Sequence, residues 1–165
     1  MKKKLVLIFV CVMLCLAIFS GCEPAKPFAK ESKEIAEIHL IYYNNPDVKK
    51  LHYRAPRTIP FNFDKMTVIG TMADDKKVEF AEKFSYLPTF IEDAEGTYDS
   101  PQGHSLMIVL NNGDFIVLSV LEVDYVARFA SDGTLLRYYG VTTLRTTTYI
   151  NPYFGTQLPD NWERD

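Results

Sequence analysis

Beyond residue 22 the chain contains no cysteine: Cys11, Cys15 and Cys22 all lie in the first 22 of its 165 residues. No disulfide can staple the remainder, so an apolar core must hold it. Histidine is scarce too. His39, His52 and His104 are scattered, without the i, i+4 spacing or neighbouring cysteines that a zinc site uses. There is no Gly-x-Ser-x-Gly elbow, no phosphate-binding loop and no dinucleotide fingerprint, so no motif calls for a cofactor. Ser105 follows His104 directly, but successive strand residues point to opposite faces and cannot form a nucleophile–base pair. Positive charge is in deficit, with 18 Lys and Arg against 21 Asp and Glu. That balance argues against nucleic acid, whose binding is driven by excess positive charge. No internal repeat and no second domain are evident.

One long apolar run exists, Leu5 to Phe19, and Lys2, Lys3 and Lys4 precede it. This is the layout of a secretory signal, with the lysines held on the cytosolic side while the apolar run partitions into the bilayer. The run is shorter than the ~20 residues a permanent transmembrane helix needs. It ends in Phe19-Ser20-Gly21-Cys22.

These residues resemble the lipobox of bacterial lipoprotein precursors: an apolar residue, two small residues, then cysteine. Phe19 departs from the leucine-like residue usual there. The resemblance covers residues 1–22 only. It implies a signal peptide over 1–21, cleavage between Gly21 and Cys22, and a diacylglyceryl group on the Cys22 sulfur. The competing reading is an ordinary signal peptide or signal anchor in which Cys22 is incidental. Two acyl chains hold a protein on a membrane stably where one does not. The expected location is therefore the extracytoplasmic face of the cell membrane, lipid-anchored. Loss of the three lysines leaves 15 positive against 21 negative residues, and 15 − 21 = −6.

Residues 22–34 read as a lipidated terminus and a flexible polar tether with prolines at 24 and 27, residues 35–150 as one domain, and 151–165 as a tail holding the single Trp162. Ile35 to Tyr43 predicts a strand with Ala36, Ile38, Leu40 and Tyr42 on one face. The stretch 48–63 carries Pro56 and Pro60, which limit it to an edge strand or loop. Met66 to Met72 reads as a short strand. Asp74 or Asp75 is expected to cap a helix running to about Leu87, with Val78, Ala81, Phe84 and Leu87, joined by Phe80, as its apolar stripe; Pro88 stops it. A loop over 89–103 follows. Asn112-Gly113 predicts a two-residue type I′ hairpin between strands at 105–111 and 114–121. Read that way, Leu106, Ile108, Leu110, Phe115 and Val117 share one face, while Met107, Val109, Ile116, Leu118 and Val120 share the other. A hairpin apolar on both faces belongs inside a sheet covered on both sides. A second hairpin is expected around Asp132-Gly133, then a strand over Thr142 to Ile150.

Three groups of residues invite chemistry. Glu92, Asp93, Glu95 and Asp99 bunch around Gly96, but without the ligand spacing of a calcium loop, so a solvated loop is the plainer reading. Glu92 and Glu95, as a glycosidase pair, would sit on one loop that cannot hold the required separation. Lys49, Lys50, His52, Arg54 and Arg57 gather around Tyr53, as an anion site or, more simply, as charges guarding an edge. Tyr42-Tyr43 and Tyr138-Tyr139 would each send one ring inward and one outward, and the outward rings offer a platform for protein or glycan.

The fold class expected is α+β: one mostly antiparallel sheet of five to seven strands with one main helix packed on it. The function expected is a non-catalytic, lipid-anchored binding domain for a protein, peptide or envelope glycan, without metal or cofactor. The alternative is an envelope hydrolase or metal-binding protein using the acidic loop 92–99.

Overall fold

A computed structural model describes residues 26–49, 54–87, 89–91, 96–119, 125–141 and 152–154. Its strands are β1 (Ile35–Tyr43), β2 (Arg54–Pro56), β3 (Met66–Thr71), β4 (Thr89–Ile91), β5 (Thr97–Asp99), β6 (Gly103–Leu110), β7 (Phe115–Ser119), β8 (Tyr125–Phe129) and β9 (Leu135–Val141). The main helix is Asp74–Ser85, and a one-turn helix spans Pro46–Lys49. The class is α+β. A seven-stranded sheet runs β3-β1-β6-β7-β8-β9-β4, with every pairing antiparallel, and β2 and β5 form a separate two-stranded sheet.

The large sheet is covered on both sides, as the doubly apolar hairpin requires. On one side Ile38, Leu40, Leu106, Ile108, Leu110, Ile116, Leu118 and Val126 pack under Phe80 and Phe84 from the helix and Leu87 just past its end. On the other, Ile41, Tyr43, Met107, Phe115, Val117, Ala127 and Phe129 pack under Val48, Ala55, Phe61 and Tyr98.

The assignment of faces in the hairpin differs from the sequence reading. Leu106 faces Leu118 and Val109 faces Phe115 across the two strands. The loop holds three residues, Asn111 to Gly113. It is closed by Gly113 N–H to the Leu110 carbonyl at 2.9 Å and Leu110 N–H to the Asp114 carbonyl at 2.8 Å. Gly113 takes φ +86°, the left-handed position of a three-residue loop. One extra loop residue shifts the register by one and so exchanges the faces of a whole strand. Phe115 and Val117 therefore join Met107, while Ile116 and Leu118 join Leu106. The second hairpin repeats the device with Ser131 to Gly133.

The helix also departs in detail. Its N-cap is Ala73, with no side-chain cap bond, so Asp74 and Asp75 sit in the first turn and act through the helix dipole. Val78 is 77% exposed, and Lys77 lies on the sheet side instead, giving its ammonium to the Ala36 carbonyl at 2.7 Å. The buried stripe is Phe80, Phe84 and Leu87.

Two peripheral segments belong to the core. Residues 26–34, expected to be tether, are folded: Phe28 is buried, and Glu31–Lys33 forms a 3₁₀ turn. A single buried phenylalanine in a polar stretch has no periodicity to reveal it. Phe154, in the short helical turn at 152–154, is buried in the same cluster. The stretch expected as a loop over 89–103 contains β4 and β5, each three residues and too short to show a pattern. The expected strand 142–150, Trp162 and the segment before residue 26 lie outside the described residues.

Candidate functional site

A cleft of about 350 Å³ opens on the sheet face opposite the main helix, lined by Asn45, Asp47, Ile59, Pro60, Phe61, Asn62, Phe63 and Asp64. Two Asn-x-Asp tripeptides build its walls. The Asn45 Oδ1 accepts the Asp47 N–H at 3.1 Å, turning the chain out of β1 into the short helix that Pro46 begins. The Asn62 Oδ1 accepts the Asp64 N–H at 3.0 Å, capping a 3₁₀ turn at Phe63–Lys65. The Tyr43 hydroxyl joins the two walls, accepting the Asn62 N–H at 3.1 Å and the Asn45 Nδ2 at 3.4 Å.

Phe61 is the floor. Its ring stacks on Tyr43 at 4.4 Å and meets Phe115 edge-on at 5.2 Å and Phe129 at 5.5 Å. Tyr43 pairs with Gly103 and Phe115 with Val109, six residues apart along β6. That is about 20 Å of strand at 3.4 Å per residue. One ring can touch both only if the sheet curls toward it. Phe61 is also tied to the second hairpin, its N–H donating to the Gly133 carbonyl at 2.8 Å. Phe63, at the rim, is 40% exposed, while Asp47 and Asp64 are exposed and make no ion pair among the described residues. The cleft thus presents an aromatic edge, two carboxylates and amide groups. Such a set suits a ligand with hydrogen-bonding or cationic groups beside an apolar face.

A second polar constellation lies at the β1–β3 pairing. His39 Nδ1 is 2.9 Å from the Thr71 hydroxyl, and its Nε2 is 2.9 Å from a Glu37 carboxylate oxygen. Hydroxyl, imidazole and carboxylate in line form the pattern of an activated nucleophile. Glu37 and Thr71 are both exposed, and none of the three lines the cleft. The arrangement is a cross-strand link at the sheet edge.

The residues singled out from sequence disperse. His39 and His104 lie on opposite faces of the sheet, since His104 pairs with Tyr42 and His39 with Met107. His104 and Ser105 are both buried and alternate between faces along β6. Among the described residues no three His, Cys, Asp or Glu side chains converge for a metal. Asp99 leaves the acidic loop for β5, opposite Arg54 of β2, and Gly96 accepts the Arg57 N–H at 2.8 Å. Glu92, Asp93, Glu95, Lys50, His52, Tyr53, Gly21 and Cys22 lie outside the described residues. Of the tyrosine pairs, Tyr43 and Tyr138 point inward, while Tyr42 is 37% exposed and lies edge-on to His104 at 5.1 Å. Tyr139 is half-buried, with Phe28 edge-on to it at 5.3 Å.

No family model, curated protein or solved structure matches the chain. Sequence reasoning passed over Phe61, Asn62, Phe63 and Asp64, although Asn-x-Asp recurs at 45–47, 62–64 and 112–114 and marks a turn each time. Among the described residues no helix is long and apolar enough to cross a membrane.

Proposed function

We propose that the chain is an extracytoplasmic lipoprotein, cut before Cys22 and held in the cell membrane by a diacylglyceryl group on that sulfur. Its domain binds a ligand or partner through the cleft and does not catalyse a reaction. The observation that carries the anchor is the lysine cluster, apolar run and Phe19-Ser20-Gly21-Cys22 in immediate succession. The fold is compatible with it. Phe28, the first buried residue described, is six residues after Cys22 and packs on the helix side of the sheet. The cleft floor, Phe61, packs on the other side. A domain held from its helix side displays the cleft away from the bilayer, toward extracytoplasmic proteins, peptides and glycans.

Two measurements test this. Intact-mass analysis of the membrane-extracted protein should show a chain beginning at Cys22 with acyl mass added, and Cys22→Ala should move the protein out of the membrane fraction. An unmodified mass, or an unchanged distribution of the variant, overturns the anchor. For the cleft, Asp64→Asn should abolish cross-linking to a partner in intact cells while leaving the melting curve in place, and Phe63→Ala, which also gives up ring contacts with Phe61 and Phe115, should abolish it in protein that still unfolds cooperatively; cross-linking retained in both overturns the cleft.

A further inference from the structure

Building on the anchor above, we propose that the patch formed by Lys26, Lys30, Lys33, Arg137 and Tyr86 lies against anionic phospholipid headgroups and fixes how the domain sits on the membrane.

Chain length makes the first argument. Phe28 is six residues after Cys22. Fully extended, those six steps span about 20 Å. Phe28 itself is immobilised by stacking on Phe84, and its N–H donates to the Ser85 carbonyl at 3.4 Å. A short leash on a buried ring cannot let the domain float free. The surface around Phe28 must stay near the headgroups.

Charge makes the second. The mature chain carries −6, so a random patch on it is acidic. The surface around Phe28 has the opposite sign. Lys26, Lys30, Lys33 and Arg137 are exposed there. Glu31 and Asp114 are drawn inward by one guanidinium, Arg128 Nη1 to Glu31 at 3.0 Å and Nη2 to Asp114 at 2.9 Å. Counting Arg128 with the two carboxylates it holds, and adding half-buried Glu34 and exposed Glu82 beside Tyr86, five cations stand against four carboxylates, 5 − 4 = +1, on a chain whose mature charge is −6. Cationic side chains near an anionic leaflet are attracted within a Debye length.

Aromatic placement makes the third. Tyr86 is 37% exposed at the helix end, with the Lys26 ammonium 4.7 Å from its ring centre. Arg137 lies 5.9 Å from the Tyr139 ring, which in turn meets Phe28. Tyrosine with an adjacent cation suits the interface, where the ring sits among headgroups and the charge meets phosphate.

The test uses the acylated protein in two vesicle types, phosphatidylcholine alone and phosphatidylcholine with one third phosphatidylglycerol, each carrying a headgroup nitroxide. Trp162→Phe removes the native fluorophore, and tryptophan is then placed by Tyr86→Trp or, on the cleft side, by Phe63→Trp. The Tyr86→Trp signal should be quenched in the anionic vesicles and the Phe63→Trp signal should not. High salt or K26E/K30E/K33E should relieve that quenching, and should weaken a lipid-free Cys22→Ala form's affinity for the same vesicles by about tenfold or more. Equal quenching at both positions, or at neither, in protein of verified acyl mass overturns this placement alone. Absence of acyl mass overturns the anchor and this placement together.

Discussion

Phe28 stacks on Phe84 with ring centroids 4.6 Å apart and planes 21° from parallel, so a residue outside every strand and helix completes the helix-side core. Truncating it removes an entire ring from a site with no solvent access. Phe28→Ala should cost about 3–5 kcal/mol in denaturant unfolding, as for a central core phenylalanine. Lys30→Ala, two residues away on the exposed side, should stay within about 0.5 kcal/mol. Similar small effects for both would mean that residues 26–34 are not part of the folded body.

Asp114 is held below the usual carboxylate range, first by the Arg128 guanidinium and then by the Asn112 amide. A depressed folded-state pKa means that the unfolded chain binds the proton first, so this stabilisation is present at neutral pH and is lost as the solution becomes acidic. Stability should fall below about pH 5, and Asp114→Asn should flatten that fall. At neutral pH the same variant should be weaker by about 1–2 kcal/mol. Some acid sensitivity should persist, because Asp74, Glu79 and Asp132 are also shifted down by their partners. An unchanged acid profile in Asp114→Asn would remove the Arg128 bridge from the account.

Burial pushes the Tyr98 hydroxyl up to about 12. It donates to the Ile59 carbonyl at 3.2 Å, linking β5 to the cleft wall. Here the sign is reversed. The unfolded tyrosine ionises first as pH rises, so stability should decline from about pH 10 upward. Tyr98→Phe should be less stable at neutral pH and should lose less between about pH 10 and 12, read by unfolding at fixed pH.

The two hairpin glycines separate backbone strain from crowding. Gly113 and Gly133 have φ of +86° and +89°. A Cβ on Gly113 would meet Ser131 at an ordinary 3.5 Å, whereas on Gly133 it would lie 2.4 Å from the Phe61 carbonyl oxygen. Gly113→Ala should cost about 1–2 kcal/mol, the left-handed penalty alone. Gly133→Ala should cost clearly more, and should also displace Phe61 and loosen the cleft, visible as chemical-shift changes at Asn62 and Phe63. Equal costs would show that the Phe61 segment yields freely.

Several elements could be read along the chain because their cause is local. The first strand, the helix and both hairpins announce themselves through alternation, a 3.6-residue repeat and Asx-Gly turns. The face assignment failed at one point: Asn112-Gly113 is compatible with loops of two or three residues, and only the closing Leu110–Asp114 bond shows which forms. The cleft was less legible. Asn45, Asn62 and their aspartates mark turns, but nothing in their spacing says that Tyr43 brings the two turns together across 19 residues.

By itself, the sequence determined the disulfide-free core and the α+β class with a sheet apolar on both faces, and it supplies the amino-terminal layout on which the proposed anchor rests, because composition and short-range periodicity are properties of neighbouring residues. Tertiary structure alone decided that Phe28 belongs to the core, that Phe61 sits at the centre of a curled sheet, and that two distant Asn-x-Asp turns share one cleft. Those outcomes depend on which surfaces meet after the chain closes on itself, and side chains that bury area across long separations leave no periodic trace in the residues around them.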